Sequence, residues 1–272
     1  VAPVIDTHTH LDVHDRHLHG DVAPDPDFLL SEAKRMNVTK VVQIGCDVAA
    51  AEWSVDIAQD RPDVTVGVAI HPNDAARIAM RDGHAALERA WKRIDELARD
   101  SKVSAVGETG LDYFRTRDEA GINAQQESFR WHIALARELD KTLVIHDRDS
   151  HEDVISVLES AGPPDRVVFH CFSGDASMAR YCAERGWYMS FAGVVTYKNA
   201  QELRDAVHEV PDDLILVETD APYLTPVPHR GRANATYLMP HTVRALANER
   251  DVDEVTMANT LYNNAQRAFG PW

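Results

Sequence analysis

Apolar residues in this chain come in short runs, each closed by polar or glycine-containing sequence. Runs of strand length lie at Val4-Ile5, Val41–Ile44, Val64–Ile70, Val103–Val106, Thr142–Ile145, Val167–Phe169, Trp187–Phe191 and Leu214–Val217. Between them the spacing changes to a helical period. Leu87, Ala90, Trp91, Ile94 and Leu97 form one such stripe, Phe129, Ile133 and Ala136 another, and Val154, Val157 and Leu158 a third. Start signals agree, with Asp25 before Pro26, and Asp149 three residues ahead of Glu152 as a capping pair. From about Asn234 to Phe269 the pattern reads helix, turn, helix. Strands alternating with helices predict parallel pairing through right-handed crossovers. Eight such units in roughly 250 residues fit a closed (β/α)8 TIM barrel better than an open sheet. No repeat, low-complexity linker or charge block marks a second domain, so one domain over residues 1–272 is expected.

Polar groups punctuate these runs. His8 and His10 follow the first, two residues apart, and strand alternation turns both rings to one side, where they can reach one ion. Glu108, His146, His170 and Asp220 close later runs. In a barrel the carboxyl ends of the strands converge on one rim, so these six become neighbours. Two histidines with Glu108 and Asp220 suit a first metal, and the same bridging carboxylate with His146 and His170 suits a second. Each residue alone has a plainer reading: a surface histidine pair, a histidine bonding a carbonyl, a cap for the turn at Ala221-Pro222, a carboxylate on the amides near Gly107 and Gly110. Together they would be costly to bury without a shared partner, and a cation is the simplest one. His71, before Pro72, faces the same rim and either contacts substrate or fixes the following turn. The remaining histidines, His132 among them, have no place at a strand end.

Composition narrows the setting. With 272 residues, 44% of them hydrophobic, the chain can bury a substantial core. A formal charge of -16, from 28 Lys and Arg against 44 Asp and Glu, argues against wrapping nucleic acid nonspecifically. It leaves a phosphodiester substrate open, because carboxylates gathered around divalent cations make a locally neutral or positive site. Three cysteines, Cys46, Cys171 and Cys182, without a CxxC pair, read as reduced packing thiols, with Cys171 beside His170 open to oxidation. No apolar stretch has membrane-spanning length, so a cytoplasmic protein without membrane contact is expected, with a monomer favoured.

Several segments together resemble the TatD family of metal-dependent deoxyribonucleases, within the amidohydrolase-like metallohydrolases. They are Asp6-Thr7-His8-Thr9-His10-Leu11-Asp12, Ile70-His71-Pro72, Gly107-Glu108-Thr109-Gly110-Leu111-Asp112-Tyr113, His146-Asp147-Arg148, His170-Cys171-Phe172-Ser173-Gly174 and Glu218-Thr219-Asp220-Ala221-Pro222-Tyr223-Leu224. They run through nearly the whole chain in family order. The resemblance implies one or two divalent ions (Mg, Mn or Zn) and hydrolysis of DNA phosphodiesters, commonly as an exonuclease. It places His8, His10, Glu108 and Asp220 around one ion and Glu108, His146 and His170 around the other. Two departures bear on loop shape and substrate preference. The family pattern has Asn-x-Pro after its Arg-Gly pair, where Arg230-Gly231 here leads to Asn234-Ala235-Thr236, and His146 is followed by the acidic Asp147-Arg148-Asp149.

In such a mechanism one ion lowers the pKa of water while the other holds a phosphoryl oxygen, and Asp220 is placed to accept the water's proton, with Glu108 beside it in the reaction. Arg148 and Arg115 either grip phosphate or make solvated salt bridges. Tyr113, Phe114, Phe172 and Tyr223 either stack on the bases of DNA ends and short single strands or close the top of the core. The same centre could attack an amide, lactone or ester, and a non-catalytic binding scaffold is the alternative outside enzymes.

Overall fold

The computed structural model describes residues 2–270. Eight strands alternate with helices and follow the sheet order β1-β2-β3-β4-β5-β6-β7-β8, the (β/α)8 arrangement. The chain packs as two compact units, one running to Gln43 and resuming at His170, the other spanning Ile44–Phe169.

The first unit opens with β1 (Val4–Thr9), α1 (Arg16–His19), α2 (Pro26–Arg35) and most of β2 (Val38–Gly45). It ends with α8 (Ala176–Glu184), β7 (Tyr188–Phe191), a 3-10 turn at Gly193–Thr196, α9 (Gln201–Glu209), β8 (Ile215–Val217), a second 3-10 turn at Thr236–Leu238, α10 (Met239–Glu249) and α11 (Glu254–Phe269). β1 pairs in parallel with β2, Asp6 opposite Val41, and β7 pairs with β8, Phe191 opposite Val217. All six residues of β1 are buried, polar and apolar alike, which a strand covered on both faces requires. As the sequence predicts, Asp25 caps α2 by accepting the Asp27 amide, and two helices with a short turn fill the segment after Asn234.

The second unit contains α3 (Val48–Ala58), β3 (Val64–Val68), α4 (Pro72–Asp82), α5 (His84–Ala98), β4 (Val103–Asp112), α6 (Glu119–Glu138), β5 (Thr142–Arg148), α7 (His151–Ala161) and β6 (Val167–Phe169). The helical stripe at Leu87, Trp91 and Ile94 is buried in α5, as are Phe129 and Ile133 in α6. Two expectations need correction. β4 runs six residues beyond Val106, through Gly107-Glu108-Thr109-Gly110-Leu111-Asp112, because these residues pair with β5, Gly110 opposite His146 and Asp112 opposite Arg148. Glu108 therefore lies within the strand. α7 begins at His151 with Ser150 at its N-cap position, and Asp149 does not cap it. Asp149 takes a left-handed conformation (φ 56°), and the buried Ser150 hydroxyl is spent on the Leu111 carbonyl and Asp147. Among the described residues no helix is long and apolar enough to cross a membrane.

His132, on α6, is a structural residue that helps set the backbone of the β3–α4 loop. It is fully buried, its Nδ1–H donates to the Ser128 carbonyl at 2.7 Å, and its Nε2 accepts the Ile70 amide at 3.1 Å. Burial pushes its pKa down to about 4, against the support of the Ser128 carbonyl. The folded ring thus stays neutral at pH values where an unfolded chain takes up a proton. Stability contributed in this way is complete above the ordinary histidine pKa and is lost as pH falls from about 7 to 4, by about 3 kcal/mol in total. Urea titrations of the parent and of His132→Gln across that window should show the extra slope in the parent alone; parallel slopes would refute it.

Candidate metal centre

In the first unit the alternation of β1 sends His8 and His10 to the same side, with their Nε2 atoms 3.3 Å apart. Asp220 completes the group, its Oδ1 3.4 Å from His10 Nε2 and 3.8 Å from His8 Nε2. The His170 ring stacks on His8 at 3.9 Å. Asp220 adopts a left-handed backbone (φ 54°), a conformation that L residues other than Asn and Asp seldom take and that recurs at functional sites. Its amide donates to the His8 carbonyl at 2.9 Å, so the position of the carboxylate is fixed to the strand that carries the histidines. Burial pushes the Asp220 carboxyl up, but the hydrogen bond from His10 and the positive field of His170, His10 and His8 outweigh it and hold the group below its ordinary value.

Two further acids support this cluster. Glu218 Oε1 faces His170 Nδ1 at 3.1 Å and accepts the Cys171 amide at 2.8 Å. An Nδ1–H given to Glu218 leaves Nε2 of His170 as the basic nitrogen, the arrangement that orients a metal-binding imidazole. Asp6 is fully buried and accepts both the Thr219 hydroxyl (2.6 Å) and the Thr219 amide (2.9 Å). Burial pushes its carboxyl up to about 7 despite these bonds.

The second unit builds its own cluster on the β4–β5 pair. Glu108 Oε1 lies 2.6 Å from His146 Nδ1, and Asp112 Oδ2 lies 3.3 Å from His146 Nε2, so the imidazole sits between two carboxylates. Burial would raise the Asp112 carboxyl, but His146, the Arg115 amide and the Asn73 side chain hold it well below the usual carboxylate range. The Cys46 thiol donates to Glu108 Oε2 at 3.5 Å. His71 caps α4, its Nδ1 accepting the Asn73 amide at 3.1 Å. The neutral ring then carries its proton on Nε2, 3.6 Å from Glu108 Oε1, which makes His71 a donor facing the cluster.

The donor set fits a cation. The ligating atoms of His8, His10 and Asp220 lie within 4.8 Å of one another, and those of Glu108 and His146 meet likewise, with His71 beside them as a donor. Imidazoles with carboxylates are what a borderline divalent ion takes. Of the expected ligands, His8, His10, His170 and Asp220 meet in one unit, and Glu108 and His146 in the other. The expected substrate contacts fare differently. Arg115 and Arg148 are exposed, and Arg148 lies over the Phe114 ring at 4.0 Å. Tyr223 is exposed. Tyr113 is instead engaged, its hydroxyl donating to Asp153 at 2.7 Å and accepting from Gln126 at 3.0 Å. Asp6, Asp112, Glu218 and Asn73 were not singled out from sequence, although Asp6, Asp112 and Glu218 stand inside the motifs quoted for the family.

The fold and these clusters define a metal-dependent hydrolase of the (β/α)8 class. The profile of the TatD-related DNase family matches residues 5–270, and the chain belongs to that family. A Mycobacterium tuberculosis protein described as an uncharacterized metal-dependent hydrolase, TatD, is 42% identical, with 98% of each chain covered. The Bacillus subtilis protein YabD, described in the same words, is 34% identical with 98% of each covered. The crystal structure of the Escherichia coli TatD homolog YJJV superposes with a TM-score of 0.86 at 24% identity, covering 99% of this chain and 98% of that one, a likeness of fold.

If Glu218 fixes the His170 tautomer, Glu218→Gln should fold normally yet hold its ion about tenfold more weakly. Competition with a chromophoric chelator measures this, and unchanged affinity would remove Glu218 from that role.

Proposed function

We propose that this hydrolase cleaves phosphodiester bonds of DNA, acting as an exonuclease on ends or short single strands. The convergence of Asp220 with His8 and His10 carries the reading: an acid held ionised beside two imidazoles, on a backbone tied to their own strand. A divalent ion bound there, Mg, Mn or Zn, supplies Lewis acidity to water and to the phosphoryl oxygen. His8, His10 and His170 orient the centre, and Asp220 accepts the proton of the attacking water as general base. Glu108 and His146 would hold a second ion. His71 offers its Nε2–H to substrate at that group, and the exposed guanidiniums of Arg148 and Arg115 suit phosphate oxygens. Tyr223, 41% exposed, presents a face on which a base can stack.

The acidic balance of the chain favours contact with ends and short strands over an extended duplex footprint. Three cysteines, read as reduced thiols, suit the reducing cytoplasm, and the protein acts there as a monomer.

Metal-stripped protein supplied in turn with Mg, Mn and Zn should release mononucleotides from end-labelled single-stranded DNA. Asp220→Asn should lower the rate by about a hundredfold or more while leaving the circular dichroism unchanged. Parent-like turnover by the variant would remove Asp220 as general base. Cleavage of amide, lactone or ester panels with none of DNA would overturn the nuclease reading.

A further inference from the structure

Beside the first cluster lies a cavity of about 210 Å³ with His10 in its wall. It is built wholly from the first unit, between the end of β1, the α1–α2 region and the segments after β8. Its apolar surface comes from Leu11, Phe28, Leu29, Pro222 and Tyr237. Phe28 is 56% exposed, an uncovered aromatic ring at a cavity next to the chemistry. Two threonines also form the wall, Thr9 and Thr236. Both side chains are buried, and the hydroxyl of each has no hydrogen-bond partner among the described residues. A buried hydroxyl left unpaired costs about 1–3 kcal/mol.

We propose that this cavity is the specificity subsite for a nucleobase adjoining the scissile phosphate, with Leu29 and Phe28 against the ring face and Thr236 reading its edge. The assignment rests on the phosphodiesterase reading above. Chemistry narrows the occupant. Among the described residues no lysine or arginine lines the cavity, so the phosphate stays at the metal cluster. An alkyl group would leave both hydroxyls unpaired, and a sugar would leave the apolar walls unused. A flat heterocycle has apolar faces and a hydrogen-bonding edge, and it matches both.

The test uses metal-loaded protein with dinucleoside monophosphates carrying each of the four bases, and with analogues lacking the base on one side. Removing the base from the side that enters the cavity should lower kcat/KM by about tenfold in the parent, the scale of one stacked base. Leu29→Trp fills the cavity and should lose a similar factor on base-bearing substrates but not on the abasic one, bringing their ratio close to one. Thr236→Val keeps the wall's shape and should alter the order of preference among the four bases. A base-bearing to abasic ratio unchanged by Leu29→Trp overturns the proposal. Should that variant misfold, an unaltered base preference in Thr236→Val overturns it. If the parent cleaves no phosphodiester, the phosphodiesterase reading has failed and the cavity is judged by equilibrium dialysis of free nucleosides. Saturable binding abolished by Leu29→Trp supports the subsite, and absence of binding overturns it.

Discussion

The candidate metal cluster of the first unit depends on how β1 is joined to β8 and the segment that follows it. Four hydrogen bonds, to β8 and to the segment after it, make that join. Asp6 accepts the Thr219 hydroxyl and amide, the Thr7 hydroxyl donates to the Val217 carbonyl at 2.9 Å, and the Asp220 amide donates to the His8 carbonyl. A fifth, from the His10 amide to the Ala221 carbonyl at 2.9 Å, closes the turn beyond them. Each is worth about 1 kcal/mol net, but losing one strands a buried polar group at greater cost. The chain can therefore hold Asp220 in a left-handed conformation opposite two histidines that lie more than two hundred residues away in sequence.

The second unit solves the same problem through close approach of backbones. A Cβ on Gly107 would lie 2.5 Å from the Val144 side chain, and one on Gly110 would collide with the His146 carbonyl. Gly110 also has φ +140°, outside the range that other residues adopt readily. These two glycines flank Glu108 and Thr109, and they let β4 run close against β5 where Glu108 meets His146. Packing and chemistry share residues here, so the strand is polar and buried at once.

The distribution of acids explains how so negative a chain can still suit an anionic substrate. Asp25, Asp47, Asp118, Asp175 and Asp253 each accept amides at helix starts, where the helix dipole favours negative charge. Many exposed arginines are paired on the surface, Arg93 with Glu52 and Glu96, Arg99 with Asp95 and Glu138. The paired surface offers little to a phosphate backbone, so on the proposed reading recognition falls to the candidate metal clusters and to groups such as Arg148 and Arg115.

The alternation of apolar runs with helical stripes was enough to give the (β/α)8 class, because a strand needs its apolar residues and a helix its period wherever they stand in the chain. The same logic exposed His8, His10, His146, His170 and Asp220, polar groups that end apolar segments. It stopped β4 too early, since Gly107 to Asp112 reads as a loop until its pairing with β5 is known, and it gave the cap of α7 to Asp149 because it could not see Ser150 committed to Leu111. The supporting residues were decided by tertiary structure alone. Glu218 matters because it reaches His170, Asp112 because it reaches His146, and His71 is a donor because α4 claims its other nitrogen. Residue type and spacing fix which groups are available along one chain; which atoms meet, and in which protonation state, depends on partners brought together from distant segments.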